Sequence, residues 1–208
     1  KAAVRNDKVD YGSLRQSRND LDDYIRFIAN FDLAQLKTKH EQLAFYTNAF
    51  NAQVLALVRN RSEIISVAKE AGFFNELKVN IEGSATTLND LEARALGDPR
   101  IHFIVNCASG SCPVLENRPF DAETLEQRLT AATLRFLQDE THGMKIDASS
   151  KTASLSNIFN WYDKDFAISG KPKKRLSLDR KTAWRRNTKT ADRRSIPSEL
   201  ERMRLAAE

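Results

Sequence analysis

The feature that most constrains the fold is a long helix without a polar face. The spacing of Thr38 and Glu41 matches a capping box, which predicts a helix that starts near Thr38 and runs to about Arg59. From Phe45 to Leu57 this helix is apolar nearly all the way round, so it must be buried among other elements. A chain of 208 residues has enough apolar content for such a core. We therefore expect one globular domain that surrounds this helix.

Two asparagines lie inside the buried helix. Asn48 and Asn51 are three residues apart and share one helix face. Asparagine is a poor helix former because its side chain competes for backbone hydrogen bonds. A buried amide without partners costs about 1–3 kcal/mol. Either the two side chains tie the helix to a neighbouring loop, or at least one of them lines a ligand pocket.

The remaining periodicities indicate several helices and a few short strands. Helical patterns cover 13–30, 62–69, 88–96, 121–136 and 158–166. Strand-like segments cover 77–81, 144–147 and 152–156. The expected fold class is α+β, a mostly helical single domain with a small β-sheet around a strand that contains His102.

That strand follows the turn signal at Asp98. Ile101–Val105 is rich in β-branched and aromatic residues, which fit a pleated surface. Alternation along the predicted strand places His102 and Asn106 on the same face.

Two cysteines follow the predicted strand within a small turn. Pro113 is favoured at a first helical position, so Cys112 would cap a short helix or turn. A thiol held at a helix start has a lowered pKa, because the free backbone amides stabilise the thiolate. A disulfide between Cys107 and Cys112 is also geometrically feasible if the turn folds back.

These residues support a cysteine-dependent enzyme as one hypothesis. Cys112 would be the nucleophile and His102 the general base, with Glu92 or Asn48 orienting the imidazole. The reaction class would be acyl transfer, or hydrolysis of an amide or thioester.

The leading hypothesis is a ligand- or partner-binding module with a structural cysteine pair. The residues expected to contact the ligand are Asn48, Asn51, Asn106 and Cys107. The ligand would be an unknown small molecule or a peptide.

Other site classes have less support in the sequence. Cys107, Cys112 and His102 could supply three metal ligands, but the spacing of the cysteines and a single histidine lack the paired pattern of a zinc site. Glycine-rich phosphate loops and paired catalytic carboxylates are absent from the sequence. We therefore expect no metal and no cofactor.

The positive charge is concentrated in the last part of the chain. From Gly170 to Glu208 basic residues outnumber acidic ones more than two to one, whereas the preceding part carries a small negative charge. We expect a globular domain over 1–169 and a basic, poorly ordered tail over 170–208. A nucleic-acid partner is not expected, because no recognisable nucleic-acid module precedes the tail.

Two further observations concern the cellular compartment. No apolar run reaches the ~20 residues of a transmembrane helix. The chain begins Lys-Ala-Ala-Val, without an initiator methionine or a hydrophobic leader segment, which is typical of a trimmed product. We expect a periplasmic or secreted protein.

Several segments match the pattern of one family in the right order. They are VDY at 9–11, QLAFYTNAFNA at 42–52, LNDLE at 88–92, DPRIHF at 98–103, NCAS at 106–109, CPVL at 112–115, and the aromatic segment at 155–166. In these segments the chain resembles the DUF547 family, a domain of unknown function found in bacteria and, in divergent form, in plants.

The resemblance implies an uncharacterised domain whose bacterial members commonly begin with an export signal. It covers about residues 9 to 166. The family pattern usually continues into a final strand with a Tyr-Asp-Trp signature, and this chain departs from it after Phe166. The function expected from residues and resemblance together is an exported binding module built around the motif HFIVNCASGSCP.

Overall fold

The computed structural model describes residues 4–5, 8–16, 19–64, 66–95, 97–109, 112–147, 149 and 152–166. The chain divides into two compact units, Lys1–Thr130 and Ala131–Glu208. Helices and small antiparallel two-stranded sheets occur together, so the predicted α+β class is confirmed. The segment 170–208 lies outside the described residues, and the domain boundaries at 1–169 and 170–208 stay a prediction.

The first unit contains most of the regular structure. In chain order its elements are β1 (Val4–Arg5), β2 (Lys8–Val9), α1 (Tyr11–Gln16), α2 (Asn19–Ala29), a 3-10 helix (Leu33–Gln35), α3 (Lys39–Arg59), a 3-10 helix (Val67–Lys69), β3 (Lys78–Ile81), β4 (Ser84–Thr87), α4 (Leu88–Ala95), a 3-10 helix (Pro99–Phe103) and the first part of α5 (Leu125–Gln138). β1 pairs antiparallel with β2, and β3 pairs antiparallel with β4.

Helix α3 is the buried centre of the first unit, as the sequence predicts. The Thr38 hydroxyl accepts a hydrogen bond from the Glu41 amide, and the Glu41 carboxylate accepts one from the Thr38 amide. The capping box is therefore confirmed. Phe50 and Val54 are each 1 % exposed. Helices α1, α2 and α4 all pack against α3, so every site residue on α3 is held by a rigid core.

The tip of the β3–β4 hairpin caps the C-terminal end of helix α2. Glu82 and Gly83 at the hairpin tip have φ angles of 53° and 69°, the left-handed values that a two-residue hairpin turn requires. Their amides donate to the carbonyls of Ile28 and Ala29, at 3.2 and 2.6 Å. Carbonyls in the last turn of a helix have no partner within the helix, and here another element supplies two donors.

The predicted strand around His102 is wrong, because Pro99–Phe103 forms a 3-10 helix. The Asp98 carboxylate accepts a hydrogen bond from the Arg100 amide at 2.9 Å, and proline occupies the first helical turn. These local contacts satisfy the backbone, whereas a strand would need a neighbouring strand as its partner. Ile101–Val105 is buried at every position instead of alternating between two faces.

The second unit contains a hairpin and a short helix beside the end of α5. Its elements are β5 (Met144–Asp147), β6 (Thr152–Leu155) and α6 (Ile158–Trp161), and β5 pairs antiparallel with β6. The two predicted short strands are therefore confirmed. Phe159 lies between Phe136 and Phe166, with ring centroids 6.5 and 5.1 Å apart, and these rings join the helices of the unit.

Gly143 lies where α5 meets the β5–β6 hairpin. Its amide donates to the Asp139 carbonyl at 2.8 Å. A Cβ atom at this position would be 1.6 Å from the Phe136 carbonyl oxygen, so only glycine fits.

No helix in the part of the chain that the structure describes combines the length and the apolar character needed to cross a membrane.

Candidate functional site

The side-chain amide of Asn51 holds the backbone that follows the 3-10 helix. Its Nδ2 atom donates to the Ile104 carbonyl at 3.1 Å, and its Oδ1 atom accepts from the Asn106 amide at 2.8 Å. Asn51 is only 7 % exposed, so water competes little for these bonds. The Asn51 side chain thus supplies the donor and the acceptor that a neighbouring strand would otherwise provide to this backbone.

Asn48, one helical turn earlier, makes the same pair of bonds at a second place. Its Nδ2 atom donates to the Phe120 carbonyl at 2.7 Å, and its Oδ1 atom accepts from the Phe120 amide at 2.8 Å. Since Asn48 and Asn51 share a helix face, α3 holds both ends of the segment from Ile104 to Phe120. The interpretation that both asparagines tie the helix to a loop is confirmed, and their contact with a ligand stays a prediction.

A third asparagine folds this segment back on itself. The Asn106 Nδ2 atom donates to the Pro113 carbonyl, and its Oδ1 atom accepts from the Ala108 amide, both at 2.8 Å. An asparagine amide that bonds to a backbone group two residues ahead is a common way to form a turn. We call residues 106–119 the clamped loop, because three asparagines fix its course. Gly110 and Ser111 within it lie outside the described residues.

The two cysteines of the clamped loop are bonded to each other. Their Cα atoms are 6.0 Å apart, within the normal range for a disulfide. In this form Cys112 carries no thiolate and cannot act as a nucleophile. Residues 113–116 form neither helix nor turn, so the prediction that Cys112 caps a short helix or turn is wrong. Pro113 instead supplies the carbonyl that Asn106 binds.

Arg128 of α5 supports the other end of the clamped loop. Its guanidinium donates to the Arg118 carbonyl at 2.9 Å, to the Pro119 carbonyl, and to the Glu116 carboxylate at 2.6 Å. The same group lies 4.1 Å from the centroid of the Phe120 ring. Sequence reasoning missed Arg128, because carbonyl partners on a distant loop leave no local spacing signal.

His102 and Glu92 form a buried pair within the first unit. The His102 Nδ1 atom is 3.5 Å from Glu92 Oε1, with the two side chains 0 % and 9 % exposed. Glu92 belongs to α4, which packs on α3. The structure thus brings Glu92 beside the histidine that it was expected to orient. Catalytic roles for His102, Glu92 and Cys112 stay predictions, and the last of these requires a reduced disulfide.

An ionic cluster joins the 3-10 helix to α5. Arg100 pairs with Asp98 at 2.5 Å and with Glu126 at 2.6 Å. Burial by itself would raise the pKa of Asp98, but hydrogen bonds from Arg100 outweigh burial and lower it. Hydrogen bonds from Arg100 also lower the pKa of Glu126. Both carboxylates therefore stay ionised at neutral pH and fix the helix that leads into the clamped loop.

The predicted site residues fall into two groups in the structure. The first group is the clamped loop with its supports on α3, and it contains Asn48, Asn51, Asn106, Cys107 and Cys112. The second group is the buried pair of Glu92 and His102. Within the described ranges, no group of three or more His, Cys, Asp or Glu side chains is arranged to hold a metal ion.

Comparison with known proteins identifies the family. The family model described as "Protein of unknown function, DUF547" matches residues 33–137, about half of the chain. No curated protein and no solved structure shows a significant match. The matched range contains α3 with both asparagines, the clamped loop and Arg128. The chain belongs to the DUF547 family.

Proposed function

We propose that the chain is an exported partner-binding module whose clamped loop contacts a peptide. The observation that carries this proposal is how the loop is held. Asn48, Asn51 and Asn106 bind backbone atoms only, so they hold the loop without covering the partly exposed side chains of Val114 and Leu115. Binding residues are concentrated on loops that a rigid scaffold positions in this way.

The exposed side of the clamped loop supports a peptide as the partner. Val114 and Leu115 are partly exposed, and Asn117, Arg118 and Pro119 are exposed. Apolar side chains beside polar ones are typical of a protein interface, in which buried apolar anchors contribute most of the affinity. Residues 113–116 form neither helix nor strand, and an extended peptide can contact successive side chains of such a segment.

The disulfide supports the exported location within this proposal. Disulfides form and persist in the periplasm and outside the cell, whereas the cytoplasm keeps thiols reduced. The Cys107–Cys112 bond lies in the loop that we propose as the binding surface, so its formation would depend on export.

Selection from a random peptide library tests this proposal. Peptides displayed on phage would be selected against the oxidised protein, and their affinities measured for the wild type and two variants. Leu115→Ser removes a partly exposed apolar anchor and should weaken binding at least about tenfold, since burial of such a side chain contributes about 1.5–3 kcal/mol. Ile146→Ser is the matched control, because Ile146 is 37 % exposed on β5 in the second unit.

Circular dichroism would first show that both variants are folded. Selected peptides should bind the Ile146→Ser variant as tightly as the wild type. Failure to enrich any peptide, or an equal loss of affinity in both variants, would refute the proposal.

A further inference from the structure

The two cysteines of the clamped loop differ in exposure. Cys107 is partly exposed, whereas Cys112 is only 6 % exposed. A thiolate must reach one of the two sulfur atoms to break a disulfide, so access decides which sulfur is attacked. The difference in exposure favours attack at Cys107, with Cys112 as the leaving group.

Hydrogen bonds hold the neighbourhood of the disulfide independently of the bond itself. Asn106 links Ala108 to Pro113, and the Cys112 amide donates to the Ser109 carbonyl at 3.0 Å. The cysteines are only five positions apart, and the stabilisation from a cross-link is smaller for shorter rings. None of these hydrogen bonds involves a sulfur atom, so reduction removes none of their donors or acceptors.

One residue inside the ring is in an unfavourable conformation. Ala108 has a φ of 55°, in the left-handed region that disfavours residues with a Cβ atom. The Ala108 amide donates to Asn106 Oδ1, a hydrogen bond that holds this conformation and does not involve either sulfur atom. The disulfide therefore shares the support of this part of the loop with Asn106.

We infer that Cys107 and Cys112 form a thiol–disulfide exchange site that reacts with a polypeptide carrying two thiols. A partner thiolate attacks Cys107 Sγ, which forms a mixed disulfide and expels the Cys112 thiolate. The second partner thiolate then attacks the partner's own sulfur in the mixed disulfide and releases the Cys107 thiolate. The partner's two thiol protons end on the two protein thiolates, so the protein gains two electrons and two protons while the partner dithiol becomes a disulfide.

The wild-type protein allows the first attack to be mapped directly. The oxidised protein would be treated with reduced glutathione without denaturant, quenched with acid, and analysed by peptide mass. Glutathione should be found on Cys107 at least ten times more often than on Cys112. Equal labelling of the two cysteines, or reduction that occurs only in denaturant, would overturn the inference.

A matched pair of variants tests the roles of the two sulfurs. Cys112→Ser leaves only the Cys107 thiol, which should react with an aromatic disulfide reagent at least tenfold faster than the Cys112 thiol in the Cys107→Ser variant. The two rates should become equal after unfolding in urea, because the difference belongs to the fold. Similar rates in the folded proteins would contradict the assignment. If either variant is unfolded, the glutathione mapping on the wild-type protein decides between the two sulfurs instead.

Oxidation of a peptide with two thiols tests the net reaction. A reduced synthetic peptide with two cysteines should become oxidised as the wild-type protein becomes reduced, and neither single-cysteine variant should form the peptide disulfide. The inference does not rest on the proposed peptide-binding function. Ile146→Ser changes a side chain of β5 in the second unit and should exchange thiols as fast as the wild type.

Discussion

Truncation of Asn51 is the most direct test of how the clamped loop is held. Asn51→Ala removes both bonds of the side chain and leaves the Ile104 carbonyl and the Asn106 amide without their partner. A buried polar group without a partner costs about 1–3 kcal/mol. Asn106 is partly exposed, so water can reach one of the two groups. We expect the free energy of unfolding to fall by about 2–4 kcal/mol.

Urea denaturation followed by far-ultraviolet circular dichroism measures this loss. Asn48→Ala should lose about 1–2 kcal/mol, because its bonds to Phe120 are only partly buried. Asn117→Ala is the control, since Asn117 is exposed on the same loop and its truncation should change stability by less than about 0.5 kcal/mol. Hydrogen exchange should show that the Asn106 amide loses protection only in Asn51→Ala. A loss below about 1 kcal/mol with unchanged protection would show that the clamp does not stabilise the fold.

The variant Asn51→Asp adds a pH test of the same contact. The new carboxylate keeps an oxygen that accepts from the Asn106 amide. Its second oxygen replaces the Nδ2 atom that donates to the Ile104 carbonyl in the wild type, so two acceptors face each other. Burial and this carbonyl favour the protonated acid, so the folded-state pKa lies above the unfolded value of about 3.9. Stability is therefore fully present below the unfolded pKa and is lost as pH rises through the folded pKa. The deficit relative to the wild type should be larger at pH 7 than at pH 4, and equal deficits would contradict the assigned bond direction.

Three further predictions test other parts of the molecule. Thr38→Ala removes the α3 capping box and should cost about 1 kcal/mol in a urea titration, whereas Thr38→Ser should retain most of it. Gly143→Ala would place a Cβ atom against the Phe136 carbonyl, so it should destabilise the protein by more than about 3 kcal/mol or prevent its expression in soluble form. Asp98→Asn keeps the helix cap but removes the charge paired with Arg100. Because the pKa of Asp98 is lowered in the folded state, the wild type should have the higher melting temperature at pH 7, and its advantage should disappear as pH falls below about 3.9.

Sequence reasoning predicted the centre of the fold well. Helix α3 was identified with its capping box because both signals are local. The same reasoning showed that Asn48 and Asn51 need partners, since a buried amide is costly. It did not identify those partners, because they lie 53 to 72 positions away along the chain and only the tertiary fold brings them close.

The error at His102 has a different physical origin. Short apolar runs fit a strand and a buried helical turn equally well, so their periodicity does not distinguish the two. Asp98 caps the helical turn, and the proline after it favours a helix start. In the sequence the same two residues also fit a turn that precedes a strand. The sequence predicts a disulfide only if the turn folds back, and in the structure the Asn106 side chain joins Ala108 to Pro113 across this turn.

The tip of the β3–β4 hairpin has a consequence for the order of folding. The amides of Glu82 and Gly83 bind the carbonyls of Ile28 and Ala29, so two elements that are distant in sequence complete each other. We expect the last turn of α2 to fray whenever the hairpin is not docked against it, because its carbonyls then lose these two donors. Contacts of such long sequence separation form late and slow the folding of a chain. The C-terminal turn of α2 and the hairpin should therefore open and close as one cooperative unit, even though the whole of the buried helix α3 lies between them in the chain.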